Sequence, residues 1–123
     1  MDDKRTYQQL VGQQGEQVAA DYLTAKGYEI LDRNYHSRFG EVDLVTEKNR
    51  CIVFVEVKTR TNDSYGLPEE SVTPEKLAKI YDTALLWLQD HPDLPDDWRV
   101  DAIAVMMDKT MTPNDIQHFI NID

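Results

Sequence analysis

Apolar residues recur at helical spacing across residues 7–26, where Leu10, Val18, Ala19, Tyr22 and Leu23 form one stripe and Gly27 stops it. Gly12 and Gly15 interrupt this stretch. Each costs a helix interior about 1 kcal/mol relative to Ala, so their presence implies close packing or the approach of a ligand near Glu16. Residues 28–35 read as a strand with Tyr28, Ile30 and Leu31 inward. In the next two segments the period drops to two. Val53, Val55 and Val57 share one face of a strand, and Phe54, Glu56 and Lys58 share the other. In the preceding strand the same rule predicts Val42 and Leu44 on the valine face. Glu41, Asp43 and Val45 then join Glu56 and Lys58. Lys48-Asn49-Arg50 between them is polar and contains Asn, which tolerates left-handed turn conformations, so the connection reads as a tight hairpin.

Residues 61–73 are rich in turn formers and read as a loop, in which Tyr65-Gly66 is a candidate nucleotide contact. Thr73-Pro74-Glu75 supplies an N-cap, a helix-start proline and an early acid. Leu77, Ile80, Tyr81, Ala84, Leu85 and Leu88 form the apolar face of the helix that follows, and Trp87 packs in the core or at an oligomer contact. After a Pro/Asp loop at 91–97, residues 98–107 read as a strand returning parallel to the Lys58 strand. Asp101 within it reads as a carboxylate paired with Arg99. Ile116, His118, Ile120 and Ile122 alternate like a final strand, and His91 and His118 read as structural or surface residues. These elements make an α/β domain with a mixed sheet flanked by helices.

The charged positions on the central hairpin are the candidate chemistry. With Asp43 opposite Glu56, the Cβ atoms would lie about 4.5–5.5 Å apart, a like-charge contact that destabilises a bare sheet. A two-residue slip would pair Glu41 with Glu56 instead. Either register brings carboxylates together, and a divalent cation would relieve the conflict. Mg²⁺ takes oxygen ligands, often only one or two carboxylates plus waters, which Asp43 and Glu56 can supply. Lys58, two residues beyond Glu56, could hold an attacking water or stabilise charge on a phosphoryl oxygen. The same residues would also suit a solvated sheet face with cross-strand ion pairs worth about 0.2–1 kcal/mol. The pattern leaves both readings open.

Composition narrows the setting. The 123 residues suit one domain spanning 1–123. No apolar run is long enough to cross a bilayer and the start is polar, so a cytoplasmic location is expected. Cys51 is the only cysteine, which leaves no internal disulfide, and it opens an apolar strand as a structural thiol would. The net charge of −10 opposes binding to a phosphate backbone as a whole. Its distribution matters more: residues 1–60 carry nine basic and ten acidic side chains, and residues 61–123 carry four and thirteen. The half bearing the hairpin is nearly neutral, with Arg33, Arg38, Lys48, Arg50, Lys58 and Arg60 as candidate phosphate contacts.

An Asp followed by Glu-X-Lys on the next strand resembles the signature of the PD-(D/E)XK nuclease superfamily, which includes many restriction enzymes and the archaeal Holliday junction resolvases. Gly12-Gln13-Gln14-Gly15-Glu16, Gly27-Tyr28, Asn34-Tyr35, Gly40-Glu41-Val42-Asp43, Phe54-Val55-Glu56-Val57-Lys58-Thr59-Arg60, Lys76 and Arg99-Val100-Asp101 are together similar to the bacterial YraN-like branch. The resemblance runs through nearly the whole chain. It implies a restriction-endonuclease-like three-layer domain and a Mg²⁺- or Mn²⁺-dependent endonuclease acting on DNA, branched DNA included. It further implies Asp43 and Glu56 as metal ligands, Lys58 as the catalytic lysine and Glu16 as an assisting acid. Arg38, Arg60, Tyr65 and Lys76 become candidate nucleic-acid contacts, and symmetric cleavage of a junction would need a homodimer. His36 stands where that family is expected to carry arginine, and Val100 where phenylalanine is commoner, so the departures touch DNA contact rather than the Asp, Glu and Lys set. Two alternatives keep the fold without catalysis: a nucleic-acid-binding module, or a protein-interaction domain using the acidic second half.

Overall fold

The computed structural model describes residues 4–61 and 72–122. Helix α1 (Tyr7–Ala25) precedes strands β1 (Glu29–Ser37), β2 (Gly40–Lys48) and β3 (Cys51–Thr61); helix α2 (Pro74–Gln89) then leads to β4 (Asp97–Met107) and β5 (Pro113–Phe119). The five strands form one sheet in chain order. Every neighbouring pair is antiparallel except β3 and β4, which run parallel on either side of the α2 connection. With α1 on one face and α2 on the other, the domain is the three-layer, restriction-endonuclease-like α/β arrangement expected from the sequence. Most of the expected loop at 61–73, with Tyr65, lies outside the described residues.

Each helix builds its own half of the core. Val11, Ala19 and Leu23 of α1 pack on Leu44, Val53, Val55 and Val57, while Ile80, Ala84 and Trp87 of α2 pack on Val42, Val45, Phe54 and Val100. Both helical stripes are rotated from the sequence reading. Val11 rather than Leu10 starts the buried face of α1, and in α2 Ile80, Thr83, Ala84 and Trp87 are buried whereas Leu85 is 54% exposed. Trp87 explains the second rotation. It is the largest fully buried side chain, it meets Phe54 edge-on, and its indole N–H donates to Asp32 Oδ2 at 3.0 Å. Burying that surface and satisfying its polar atom outweighs burying Leu85.

The β2–β3 hairpin closes through Asn49 and Arg50, both at positive φ (52° and 64°), as two-residue turns between twisted strands require. Its register pairs Leu44 with Val55 and Val45 with Phe54, which excludes the slipped alternative. One expectation fails here. Leu44 lies on the α1 side with the valines, but Val42, two residues earlier, lies on the α2 side. The neighbouring strand has the same inversion: Arg33 donates to Gln17 of α1, whereas Tyr35 packs in the α2 cluster. Between them Asn34 adopts φ 50°, opposite Asp43. A left-handed residue within a strand turns the chain, so the next side chain lands on the other face. The alternation therefore changes phase at the position that carries the candidate acid.

The last strands behave as expected until Phe119. Beyond it Asn121 takes φ 58°, leaving Ile120 60% exposed and Ile122 on the α2 side. Asp101 is the paired carboxylate anticipated from sequence. It is fully buried and accepts from Arg99 (Nε, 3.0 Å), His118 (Nε2, 2.8 Å) and the Asn121 amide (2.9 Å). Burial alone would raise its pKa, but these hydrogen bonds outweigh burial and hold it below the ordinary value. Cys51 is half-buried rather than buried, with the Arg99 guanidinium 4.0 Å away.

Candidate functional site

The β2–β3 ladder ends at Leu44 and Val55, and immediately beyond it the two acids meet. Asp43 is 7% exposed and Glu56 6%. The Val57 amide donates to Asp43 Oδ2 at 2.7 Å, so a side chain takes up backbone hydrogen bonding where the strands leave each other. Burial, then the charge of Glu56, push the Asp43 carboxyl up to about 8, against the Val57 hydrogen bond that lowers it. Two carboxylates placed side by side out of water cannot both ionise cheaply, and Asp43 keeps the proton.

Glu56 is held by two lysines on one oxygen. Lys76 Nζ lies 2.7 Å and Lys58 Nζ 3.3 Å from Oε1. Burial and a hydrogen bond with Lys76 lower the Lys58 pKa, while the bonds to Glu56 and Lys58 outweigh burial and raise that of Lys76. Of the two, Lys58 is the lysine that gives up its proton more easily. Lys76 reaches this place because Thr73 caps α2 and Pro74 opens it, which puts residue 76 in the first turn over the end of β3. Asp43, Glu56, Lys58, Lys76 and Lys79 line a cavity of about 510 Å³ under that first turn.

The other candidates are distributed around this cavity. Glu16 projects from α1 and bonds Asn34; burial first, then the charges of Glu41 and Glu56, raise its pKa. It lines a second cavity beside α1, together with Arg60 and the other flank of Lys58. Arg38, in the β1–β2 turn, lies over the Phe39 ring at 4.8 Å and outside both cavities. Exposed Glu41 lies 3.2 Å from His36, the residue expected to be arginine. Sequence reasoning placed Lys76 near phosphate; it did not foresee the bond to Glu56, since helix-to-sheet distance leaves no trace in local pattern. Asn34 was also missed, although an Asn inside a strand is itself a signal for a left-handed residue.

The donor set suits a hard cation. Two buried carboxylates, one of them kept protonated by burial and then by its neighbour, would ionise together around a divalent ion. Mg²⁺ and Mn²⁺ accept such a pair with waters or substrate oxygens completing the sphere. Among the described residues no three His, Cys, Asp or Glu side chains gather as a metal-holding group. No helix of the described residues is long and apolar enough to cross a membrane.

Residues 15–105 match the family model described as "Uncharacterised protein family UPF0102". Three curated relatives match over about nine tenths of their length or more. The chain is similar to a UPF0102 protein of Syntrophomonas wolfei, 44% identical over 111 residues, covering 90% of this chain and 95% of the relative. A UPF0102 protein of Trichlorobacter lovleyi is 46% identical over 114 residues (92% and 89%). One from Rhodococcus jostii is 44% identical over 108 residues (88% and 91%).

Proposed function

The chain belongs to the UPF0102 family, and we propose that it is a cytoplasmic, metal-dependent endonuclease that hydrolyses DNA phosphodiester bonds. One observation carries the reading: two buried carboxylates adjoin at the end of a ladder, and the lysine expected to be catalytic lies 3.3 Å from one of them. A solvated sheet face would have no reason to bury both acids.

Asp43 and Glu56 would hold a divalent ion, which when bound would supply polarisation of a phosphoryl oxygen and charge stabilisation for an in-line displacement. The Val57 amide fixes Asp43 through Oδ2. Lys58, held 3.3 Å from Glu56, orients the attacking water and stabilises charge on the phosphoryl oxygen. Lys76 holds Glu56 until the substrate phosphate enters and then balances the phosphate's charge from α2. Glu16 orients solvent from the α1 side. Branched DNA is the substrate favoured by the resolvase resemblance, and two copies of the chain would be needed for symmetric cleavage.

The test incubates purified protein with linear duplex, single-stranded and four-way-junction DNA in Mg²⁺, Mn²⁺ or chelator, beside Asp43→Ala and Lys58→Ala. Metal-dependent cleavage lost in both variants is expected. Binding without cleavage of any substrate would sink the enzyme and leave a nucleic-acid-binding module. Neither binding nor cleavage would favour a protein-interaction domain built on the acidic half.

A further inference from the structure

The cavity beside α1 has a volume of about 470 Å³, within the range of small-ligand sites, and it abuts the Asp43–Glu56 cavity with Val57 and Lys58 common to both. Its floor follows one helical stripe, Gln8, Gly12 and Glu16, spaced four residues apart. Two glycines of α1 have different reasons to be there. A Cβ on Gly15 would lie 1.8 Å from Thr59 Oγ1, so packing alone demands a glycine. A Cβ on Gly12 would meet nothing within 4 Å. Packing does not require the second glycine, and its cost to the helix leaves open space over the floor of the cavity.

The lining has the chemistry of one nucleotide. Tyr7, 52% exposed and tethered through its hydroxyl to the Lys109 carbonyl at 3.5 Å, offers an aromatic surface. Gln8 offers an amide for a base edge, Glu16 an acceptor for amino or hydroxyl groups, and Lys58 and Arg60 two cations against that single carboxylate. The Thr59 hydroxyl, also at this wall, is buried with no hydrogen-bond partner among the described residues. We propose that this cavity receives one unpaired nucleotide of a DNA strand, its base against Tyr7 and its phosphate between Lys58 and Arg60. The base must be unpaired because a stacked, paired base presents no free face to a tyrosine. That this nucleotide adjoins the scissile bond rests on the nuclease reading; its binding does not. Lys58, reaching both cavities, then couples recognition of an unpaired nucleotide to the position of the attacking water.

Chelator-treated, ¹⁵N-labelled protein is titrated with a five-nucleotide single strand, the matching duplex, and thymidine monophosphate, following the amides of Gly12, Thr59 and Arg60. Saturable shifts with the single strand are expected, with far weaker response to duplex. Gly12→Leu should melt no lower than the parent, since its Cβ meets nothing within 4 Å and leucine raises helix propensity, yet bind the strand about tenfold more weakly; Tyr7→Ala should lose a similar factor, as for one stacked base. Unchanged affinity in both variants would overturn the proposal, and so would thymidine monophosphate binding as tightly as the strand. Cleavage is scored separately in Mn²⁺. Cleavage without these shifts removes this inference alone, and shifts without cleavage remove the nuclease reading alone.

Discussion

Lys76 lies closer to Glu56 than Lys58 does, 2.7 Å against 3.3 Å to the same carboxylate oxygen. The helix lysine, from an element that is remote in sequence, is therefore the tighter partner of the acid in the Glu-X-Lys motif. An ammonium on the oxygen proposed to bind the metal would compete with it. Lys76→Met is expected to raise Mn²⁺ affinity about three- to tenfold, a modest factor because the side chain is one-third exposed and its charge partly screened. Titration calorimetry of parent and variant measures it. A weaker ion in Lys76→Met would mean that the lysine positions Glu56 rather than competing for it.

Asp43 gives stability a distinct pH slope. The folded chain holds its proton to about pH 8, whereas the unfolded chain releases it near the ordinary value of 3.8. Between these limits the native state binds more protons, so the contribution of this group to stability falls as pH rises. Asp43→Asn keeps an acceptor for the Val57 amide and removes the charge. It is expected to melt several degrees above the parent at pH 8.5 and at the same temperature near pH 4, by circular dichroism. A difference that does not change with pH would show that the carboxyl does not titrate in this range.

The two glycines of α1 should respond in opposite directions to the same change. Gly15→Ala drives a methyl into Thr59 and is expected to cost about 1–3 kcal/mol by overpacking. Gly12→Ala, with open space around it, is expected to gain up to about 1 kcal/mol of helix propensity. Urea unfolding of both variants decides the matter, and equal effects would contradict the packing described.

Asp101 works in the opposite sense to Asp43. Its folded pKa lies below the unfolded value, so its stabilisation is fully present above the unfolded pKa and is lost as pH falls through the folded one. Asp101→Asn leaves Arg99 without its charge partner and should cost about 3 kcal/mol at pH 7. The difference should shrink as the parent is titrated below pH 4. Denaturation at pH 7 and pH 3 tests it; an equal loss at both would assign the effect to shape rather than charge.

Alternation and capping read from the chain determined the elements, their order and the tight turn at Asn49-Arg50, because these depend on residues near one another in sequence; the structure chose the Leu44–Val55 register from the two that the pattern allowed. The family resemblance supplied the three-layer fold and gave roles to Asp43, Glu56 and Lys58, which the hairpin pattern already brought together. What the sequence only hinted at, through an Asn inside a strand, was the phase change at Asn34, which moved Val42 to the α2 face. It could not contain the rotation of α2 that buries Trp87 in place of Leu85, or the reach of Lys76 to Glu56. Each of these is decided by packing between distant segments. The bulk of Trp87 sets the roll of its helix, that roll and the Thr73 cap set where Lys76 ends, and a side chain's partner is fixed only when both backbones have been placed.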